Sequence, residues 1–391
     1  MAEIQIPEEY EGEEEIEILF DEDDNLVDPS LMDSDQQTEF NDNLAEFLDS
    51  STLSEISSQV LTNFQNDLDS REDWYETFKD GLELLGIQND PRSEPFEGAS
   101  GVYHPLLAEA VTHFQAQAYK ELLPANGPVD TKVMGASSDP KAMQANRVKD
   151  FMNYQLLYKM EEYDPEMDQM LFFLPLAGSA FKKCYFDPAI GRIVSRFIKA
   201  EDLVVPYSAT DLHTSPRITH RMSMTENDLL KLQLSGFYLD TDMNAPMYGG
   251  DNDSVQSKID EIDGVTRTGD QHDFTLLECH TELDIEGFEH TDSEGEPTGL
   301  ALPYIVTVCK DTNDVLAIRR NYVETDPMRK KVEYFTHFKF LPGLGFYGFG
   351  LIHMIGGVTK SATAILRQLI DAGTLANLPA GFKARGLNIQ R

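Results

Sequence analysis

Gly343, Gly345 and Gly348 set a GxGxxG spacing inside FLPGLGFYGFGLIHMIGG (340–357), after a strand-like stretch and before a helix-like one. In dinucleotide-binding folds that spacing makes a tight turn whose backbone N–H groups meet a pyrophosphate at a helix N-terminus. Two features weigh against that chemistry here. The fingerprint requires an acid at the end of the next strand, whereas the nearest later acid, Asp371, lies inside the same helix-like stretch. Phe346 and Tyr347 also occupy the space a pyrophosphate needs. The run instead reads as a buried glycine-rich junction at the foot of a long helix.

Other constellations are weaker. DEDDNLVDPSLM places Asp21, Asp23 and Asn25 at the first ligand positions of a calcium loop, but Leu26 replaces the turn glycine and Met32 the bidentate glutamate. Cys279 and His280 adjoin on a strand-like stretch, so they point to opposite faces and cannot converge as nucleophile and base. They read as a core cysteine beside an exposed histidine. Asp164, Glu166 and Asp168 read as solvated charge, and His353 as a packing residue in an apolar run. Cys184, Cys279 and Cys309 lack CxxC spacing, which speaks against zinc and against a disulfide framework. No catalytic residue, metal site or cofactor is expected, and the chain reads as a non-enzyme.

The elements that carry these residues fall into blocks. The chain of 391 residues has a formal net charge of −38, with 22 acids and no Lys or Arg before Arg71. Residues 1–50 therefore read as an acidic, disordered tail. From Arg329 to Arg391 nine Lys or Arg face only Glu333 and Asp371, so the chain is acidic at its start and basic at its end. An acidic protein repels the phosphate backbone, which argues against sequence-reading DNA binding. The N-terminus has no basic or apolar segment of a secretory signal, and a cytoplasmic product is expected.

Leu53, Ile56, Val60, Phe64 and Leu68 recur at helical spacing, and Trp74, Phe78 and Leu82 extend the stripe. A second helix follows with Leu107, Val111, Phe114, Ala118 and Leu122 on one face, ended by Pro124, and a third opens at Asp139 and Pro140. Three helices thus precede any sheet. Alternation then predicts strands at FKKCYF, GRIVSRFIK, TLLECHTELDIE, YIVTVCK, DVLAIRRNYV and KKVEYFTHFKF. A polar excursion at 240–272 interrupts them. Helices at 53–160 and antiparallel strands at 180–340 give an α+β class. Val358, Ala362, Ile365, Leu369, Ala372 and Ala376 then share one face of a final helix.

THFKFLPGLGFYGFGLIHMIGGVTKSATAILRQLIDAGTLANLPAGFKARG closely resembles the portal proteins of short-tailed double-stranded DNA bacteriophages, and HPLLAEAVTHFQAQAYKELLPANGPV (104–129) is similar to that family's N-terminal region. The resemblance implies a portal fold: a wing of helices and antiparallel sheet (51–340), a glycine-rich junction and first stem helix (341–378), and the start of a clip (379–391). It further implies a homo-oligomeric ring of twelve subunits at one capsid vertex, a head-to-tail connector in the virion. Double-stranded DNA would pass through it without sequence recognition, and the major capsid protein, the terminase large subunit and a tail adaptor would contact it. Gly343, Gly345, Phe346, Tyr347, Gly348, Gly350, Ala362, Ile365 and Leu369 would then form the subunit interface at the stem junction, buried by assembly. Lys360, Arg367, Lys383, Arg385 and Arg391 would face neighbouring subunits, DNA or the motor.

In the family a returning stem helix, tunnel loop and crown follow, and here the sequence stops at Arg391. The expectation is that a second chain or a longer product supplies that half, and that this chain alone does not close into working rings. Glycines 345, 348 and 350 are expected at close backbone approaches or positive φ, so that valine there would impair assembly more than folding. The net negative charge suits a conduit, because it offers sliding phosphates few partners. A membrane-active virion protein using 340–357 is the competing reading, although six glycines and a proline make a poor spanning helix.

Overall fold

The computed structural model describes residues 39–85, 96, 98–135, 138–187, 190–241, 273–291 and 296–377. Most of the acidic tail, the calcium-like stretch, nearly all of the 240–272 excursion and residues 378–391 lie outside the described residues. The chain divides at Asp42 into Met1–Asp42 and Asn43–Arg391. The boundary of the tail therefore comes earlier than residue 50. Asn43, Leu44 and Ala45 are buried, and the Asn43 side chain donates to Leu316 O (3.1 Å) and accepts from Ile318 N–H (2.9 Å), in the manner of an extra strand residue.

In the second unit, α1 (Ser50–Ser70) is capped by Asp49, whose carboxylate accepts from Thr52 N–H, and it buries Ile56, Val60 and Phe64. The apolar stripe passes into α2 (Glu72–Leu82) across a break at Arg71. α3 (Leu106–Leu122) buries Leu107 and Val111 but leaves Leu122 exposed. α4 (Asp139–Tyr154) opens with Pro140 and runs into a π-helical turn, Gln155–Lys159.

A fourth long segment ahead of the sheet corrects the three-helix reading. α5 (Tyr163–Ala177) contains the acids taken for solvated charge, and all three have partners. Tyr119 Oη donates to Asp164 (2.6 Å), Gln115 to Asp168 (2.8 Å) and Arg196 to Glu166 (2.9 Å). Because the second half of α5, residues 170–177, is apolar all round while its first half carries the three acids, its sequence carries little helical periodicity. Pro175 sits near its end, and Gly178 at φ +90° terminates it. A short α6 (Glu226–Leu234), capped by Thr225, was also illegible from apolar spacing.

Strands β1 (Ser179–Asp187), β2 (Arg192–Ile198) and β8 (Phe335–Lys339) form one sheet in the order β2-β1-β8. β3 (Leu203–Val204), β4 (Arg217–Thr225), β5 (Asp273–Leu283), β6 (Leu302–Cys309) and β7 (Val315–Arg320) form a second in sequence order. Every pairing between these strands is antiparallel. The protein is α+β. α7 (Leu351–Asn377) closes the described chain and packs on α2, α3 and α5.

Cys279 and His280 are both buried, so the expectation of an exposed histidine is corrected: β5 is covered on both faces. A polar cluster ties the two sheets there. Lys183 Nζ on β1 donates to both oxygens of Glu278 on β5 (2.6 and 2.7 Å), and His280 Nε2 lies 2.8 Å from Glu278 Oε1. Burial alone would push the Glu278 carboxyl up, but the His280 bond and the Lys183 charge hold it well below the usual carboxylate range. His220 on β4 has no partner at Nδ1, and burial pushes it down to about 4.

Both shifts have the same sign. The neutral His220 and the ionised Glu278 stabilise the fold at neutral pH, and protons bind preferentially to the unfolded chain as pH falls. Urea unfolding should lose about 3 kcal/mol through His220 between pH 6.5 and 4, with Glu278 adding to the loss below about 4.5. His220→Asn should flatten the first part of this curve, and Lys183→Met, which strands a buried carboxylate, should cost about 3 kcal/mol at pH 7.

Candidate functional site

The glycine-rich run wraps around a buried arginine. Arg71, in the break between α1 and α2, is 1% exposed. Its Nη1 donates to Ala200 O (2.8 Å), Leu203 O (3.2 Å) and Tyr347 Oη (2.8 Å), and Nη2 donates to Glu201 O (2.6 Å). Tyr347 Oη in turn donates to Leu203 O (2.9 Å) and accepts from Val205 N–H (3.3 Å). The Tyr347 ring stacks on Trp74 at 4.6 Å. Burial pushes the Tyr347 phenol up, so it stays a neutral donor. The break between α1 and α2, the turn before β3 and the glycine-rich loop thus meet at one guanidinium.

The glycines serve this packing inside the chain. Gly343, Gly345, Gly348 and Gly350 all have ordinary φ, so the positive-φ expectation is corrected; in this region Gly178 carries it. Close approach does hold. A Cβ on Gly348 would collide with Gly178 O and Leu341 O, one on Gly350 with Leu176 O, one on Gly345 with the Tyr207 ring, and one on Gly343 with Tyr347 O. The loop's N–H groups are committed within the chain: Phe346 N–H to Tyr207 O (3.2 Å), Gly348 N–H to Ser179 Oγ (2.8 Å) and Phe349 N–H to Leu341 O (2.9 Å). These three donors are spent on the protein itself.

Phe346 packs against His337 (4.7 Å) and Phe181 (6.0 Å), which also stack on each other (4.4 Å), and with Tyr347 it is fully buried. The expectation that assembly buries these rings is corrected: the chain's own α2, β1 and β8 cover them. Leu344, at 95% exposure, is the apolar residue of the loop left in solvent. His353 accepts from Gly350 N–H through Nδ1 (3.1 Å), closing the first turn of α7. Gly81 lies directly under Ile352 and Gly356 over Leu84, which seats the foot of α7 on α2 and the turn after it.

Above its foot α7 is turned over relative to an ordinary amphipathic helix. Its buried residues are Thr359, Thr363 and Asp371. Thr363 Oγ1 accepts from His104 N–H (3.1 Å) and Asp371 from Ser100 N–H (2.7 Å), so polar side chains meet the backbone of the segment before α3. The apolar stripe faces out instead. Ile365 is 65% and Leu369 70% exposed, with Met354 and Val358 in line below them, and Ala362 is half-buried.

Arg367, expected to face neighbouring subunits, DNA or the motor, is held by its own chain and half-buried. Its Nε donates to Val102 O (2.8 Å), and its guanidinium lies 4.3 Å above the Tyr103 ring. Lys360 is exposed, on a cleft of about 410 Å³ that Glu83, Tyr103 and Gln368 also line. Lys383, Arg385 and Arg391 lie outside the described residues. Among the described residues no group of three or more His, Cys, Asp or Glu is placed to hold a metal ion.

No protein-family model matches the sequence, and neither does any curated protein.

Gly348→Val should therefore damage folding directly, because its side chain meets backbone rather than a neighbouring subunit, and thermal melting should fall by several degrees. Tyr347→Phe keeps the ring stack but leaves Arg71 and Val205 N–H short of an acceptor. It should cost about 1–3 kcal/mol in urea unfolding, and an unchanged midpoint would remove the hub from the account of stability.

Proposed function

We propose that the chain is a subunit of a phage portal, the ring at one capsid vertex through which double-stranded DNA is packaged and ejected and to which the tail attaches. The observation that carries this reading is the inverted α7. A helix of 27 residues, about 40 Å long, meets its own chain through threonines, Asp371 and Arg367 and offers Val358, Ile365 and Leu369 to solvent. An exposed apolar stripe of that length marks an interaction surface, and its burial favours association by about 25 cal/mol per Å². Neighbouring copies of α7, arrayed as stem helices around a channel, are the covering surface in this reading. The glycine-rich loop then sets the angle at which each stem leaves its wing.

The major capsid protein, the terminase large subunit and a tail adaptor are the partners this function requires, and DNA passes without base recognition. The acidic balance supports passage rather than grip. The membrane-active reading has less support. Its segment buries Phe346 and Tyr347 in the chain's own core, and among the described residues no helix is long and apolar enough to cross a membrane.

Electron microscopy of the protein, expressed alone and together with the reading frame downstream, should show closed rings in at least one preparation. Rings in neither would overturn the proposal. The double variant Ile365→Asp/Leu369→Asp should abolish rings and shift sedimentation to the monomer, while melting stays within a few degrees because both side chains are exposed. Rings that survive the double variant would mean α7 is not the interface.

A further inference from the structure

The turn that Arg71 grips contains an anomaly. Glu201 is 3% exposed, and neither carboxyl oxygen has a hydrogen-bond partner. Its backbone carbonyl accepts from Arg71 Nη2, yet its side chain does not join that guanidinium. Lys199 Nζ stands 3.9 Å from Oε1, beyond hydrogen-bond reach, and is only partly buried. Asp202, next in sequence, gives its carboxylate to Arg221 Nη2 of β4 (3.0 Å). From the glycine-rich loop the group facing this turn is Tyr347 Oη, a neutral phenol already bonded to Leu203 O. An ionised carboxylate cannot be held there without partners. A protonated one can, and a group left so in a native fold calls for a reason.

We propose that Glu201 is a proton-operated latch on the Arg71–Tyr347 hub: protonated, it lets the 199–203 turn close over the guanidinium, and ionised, it draws that turn toward water and loosens the foot of α7. The lever is short. Ala200 O, Glu201 O and Leu203 O are three of the four acceptors of Arg71, so movement of the Glu201 side chain to solvent withdraws the carbonyls that neutralise the buried cation. Tyr347 shares Leu203 O and sits four residues before α7 begins. The opening is thus transmitted to the angle at which that helix leaves the body.

Burial, with the Asp202 charge next, pushes the Glu201 carboxyl up to about 7, against the pull of Lys199 and Arg221. In an open turn the group would titrate near the ordinary glutamate value of 4.5. The closed state therefore holds its proton over a range in which the open state has lost it. The closed-to-open ratio is highest below about pH 4.5, falls about tenfold per unit up to about 7, and levels off above, a total of about 300-fold.

Amide exchange reads this ratio, and the only tryptophan of the chain, Trp74, stands in the hub as an optical reporter. The Val205 and Gly348 amides, bonded to Tyr347 Oη and Ser179 Oγ, report opening once corrected for intrinsic rates. In the wild-type chain their opening should rise between pH 5 and 7 and flatten above. In Glu201→Gln, which is neutral at every pH, it should stay flat, with about 300-fold more protection than wild type at pH 8 and less quenching of Trp74 by acrylamide. The Val306 amide in β6 should change in neither. Equal changes at Val306 would reduce Glu201 to a contributor to global stability, and no difference between Glu201→Gln and wild type would remove the latch. Asp202→Asn supplies the second test: losing the adjacent charge should move the plateau to lower pH, and an unmoved plateau also overturns the proposal. None of these readouts depends on ring formation.

Discussion

Burying a guanidinium is costly unless most of its N–H groups find acceptors, and the acceptors that Nη1 and Nη2 of Arg71 find, with Nε left without one, organise the region around it. Arg71 occupies the non-helical break where α1 ends and α2 begins. Its partners are backbone carbonyls of the turn before β3 and the phenol of the glycine-rich loop, segments separated from it by 129 to 276 residues. Three regions remote in sequence are thereby fixed to one charge. Because among the described residues no carboxylate pairs with Arg71, the carbonyl dipoles and the Trp74 and Tyr347 rings carry that task. The turn that supplies those carbonyls in turn holds a carboxyl in a place where only its protonated form is at ease.

The glycine-rich loop follows from the same constraint. To bring Tyr347 Oη to Arg71 and Phe346 against His337 and Phe181, the chain must pass almost in contact with the α5–β1 turn. Cβ atoms at 348 and 350 would strike the backbone of that turn, and one at 345 would strike Tyr207. The density of glycine and aromatic residues is thus one solution with two parts: small residues where backbones touch and rings where space must be filled. It resembles a phosphate loop in spelling because both need backbone to approach something closely. Here the something is the protein's own backbone.

The two ends of α7 then have opposite chemistry. Its foot is apolar on the inside, with Ile352 against Gly81. Its upper turns are polar on the inside, because the segment 100–104 offers unpaired backbone N–H and C=O groups rather than a hydrophobic surface, and Thr363, Arg367 and Asp371 answer them. Satisfying those groups rotates the apolar stripe outward. The exposed face is therefore a consequence of how the helix is held.

Some of this was decided by the sequence alone. Apolar periodicity placed α1, α2, α3 and α7, the Asp139–Pro140 start placed α4, and alternation found β1, β2, β5, β6, β7 and the end of β8, because in them apolar and polar side chains recur at a regular spacing, and that contrast is written in residue order. The α+β class followed from their block arrangement. Where both faces are covered the contrast vanishes, which hid α5 and made His280 look exposed. Short β3 and the polar, mixed β4 had too little pattern to find. Tertiary structure alone decided which way the stripe of α7 points, since a helical wheel identifies an apolar face but not whether it looks inward. It also decided that Arg367 is bound to its own chain, and that Arg71, Tyr347 and Glu201 meet. A cation interrupting an apolar stripe between Leu68 and Trp74 was the one available sign of that hub, but a sign on one segment does not name acceptors on others: those are set by distances in space, which residue order does not contain.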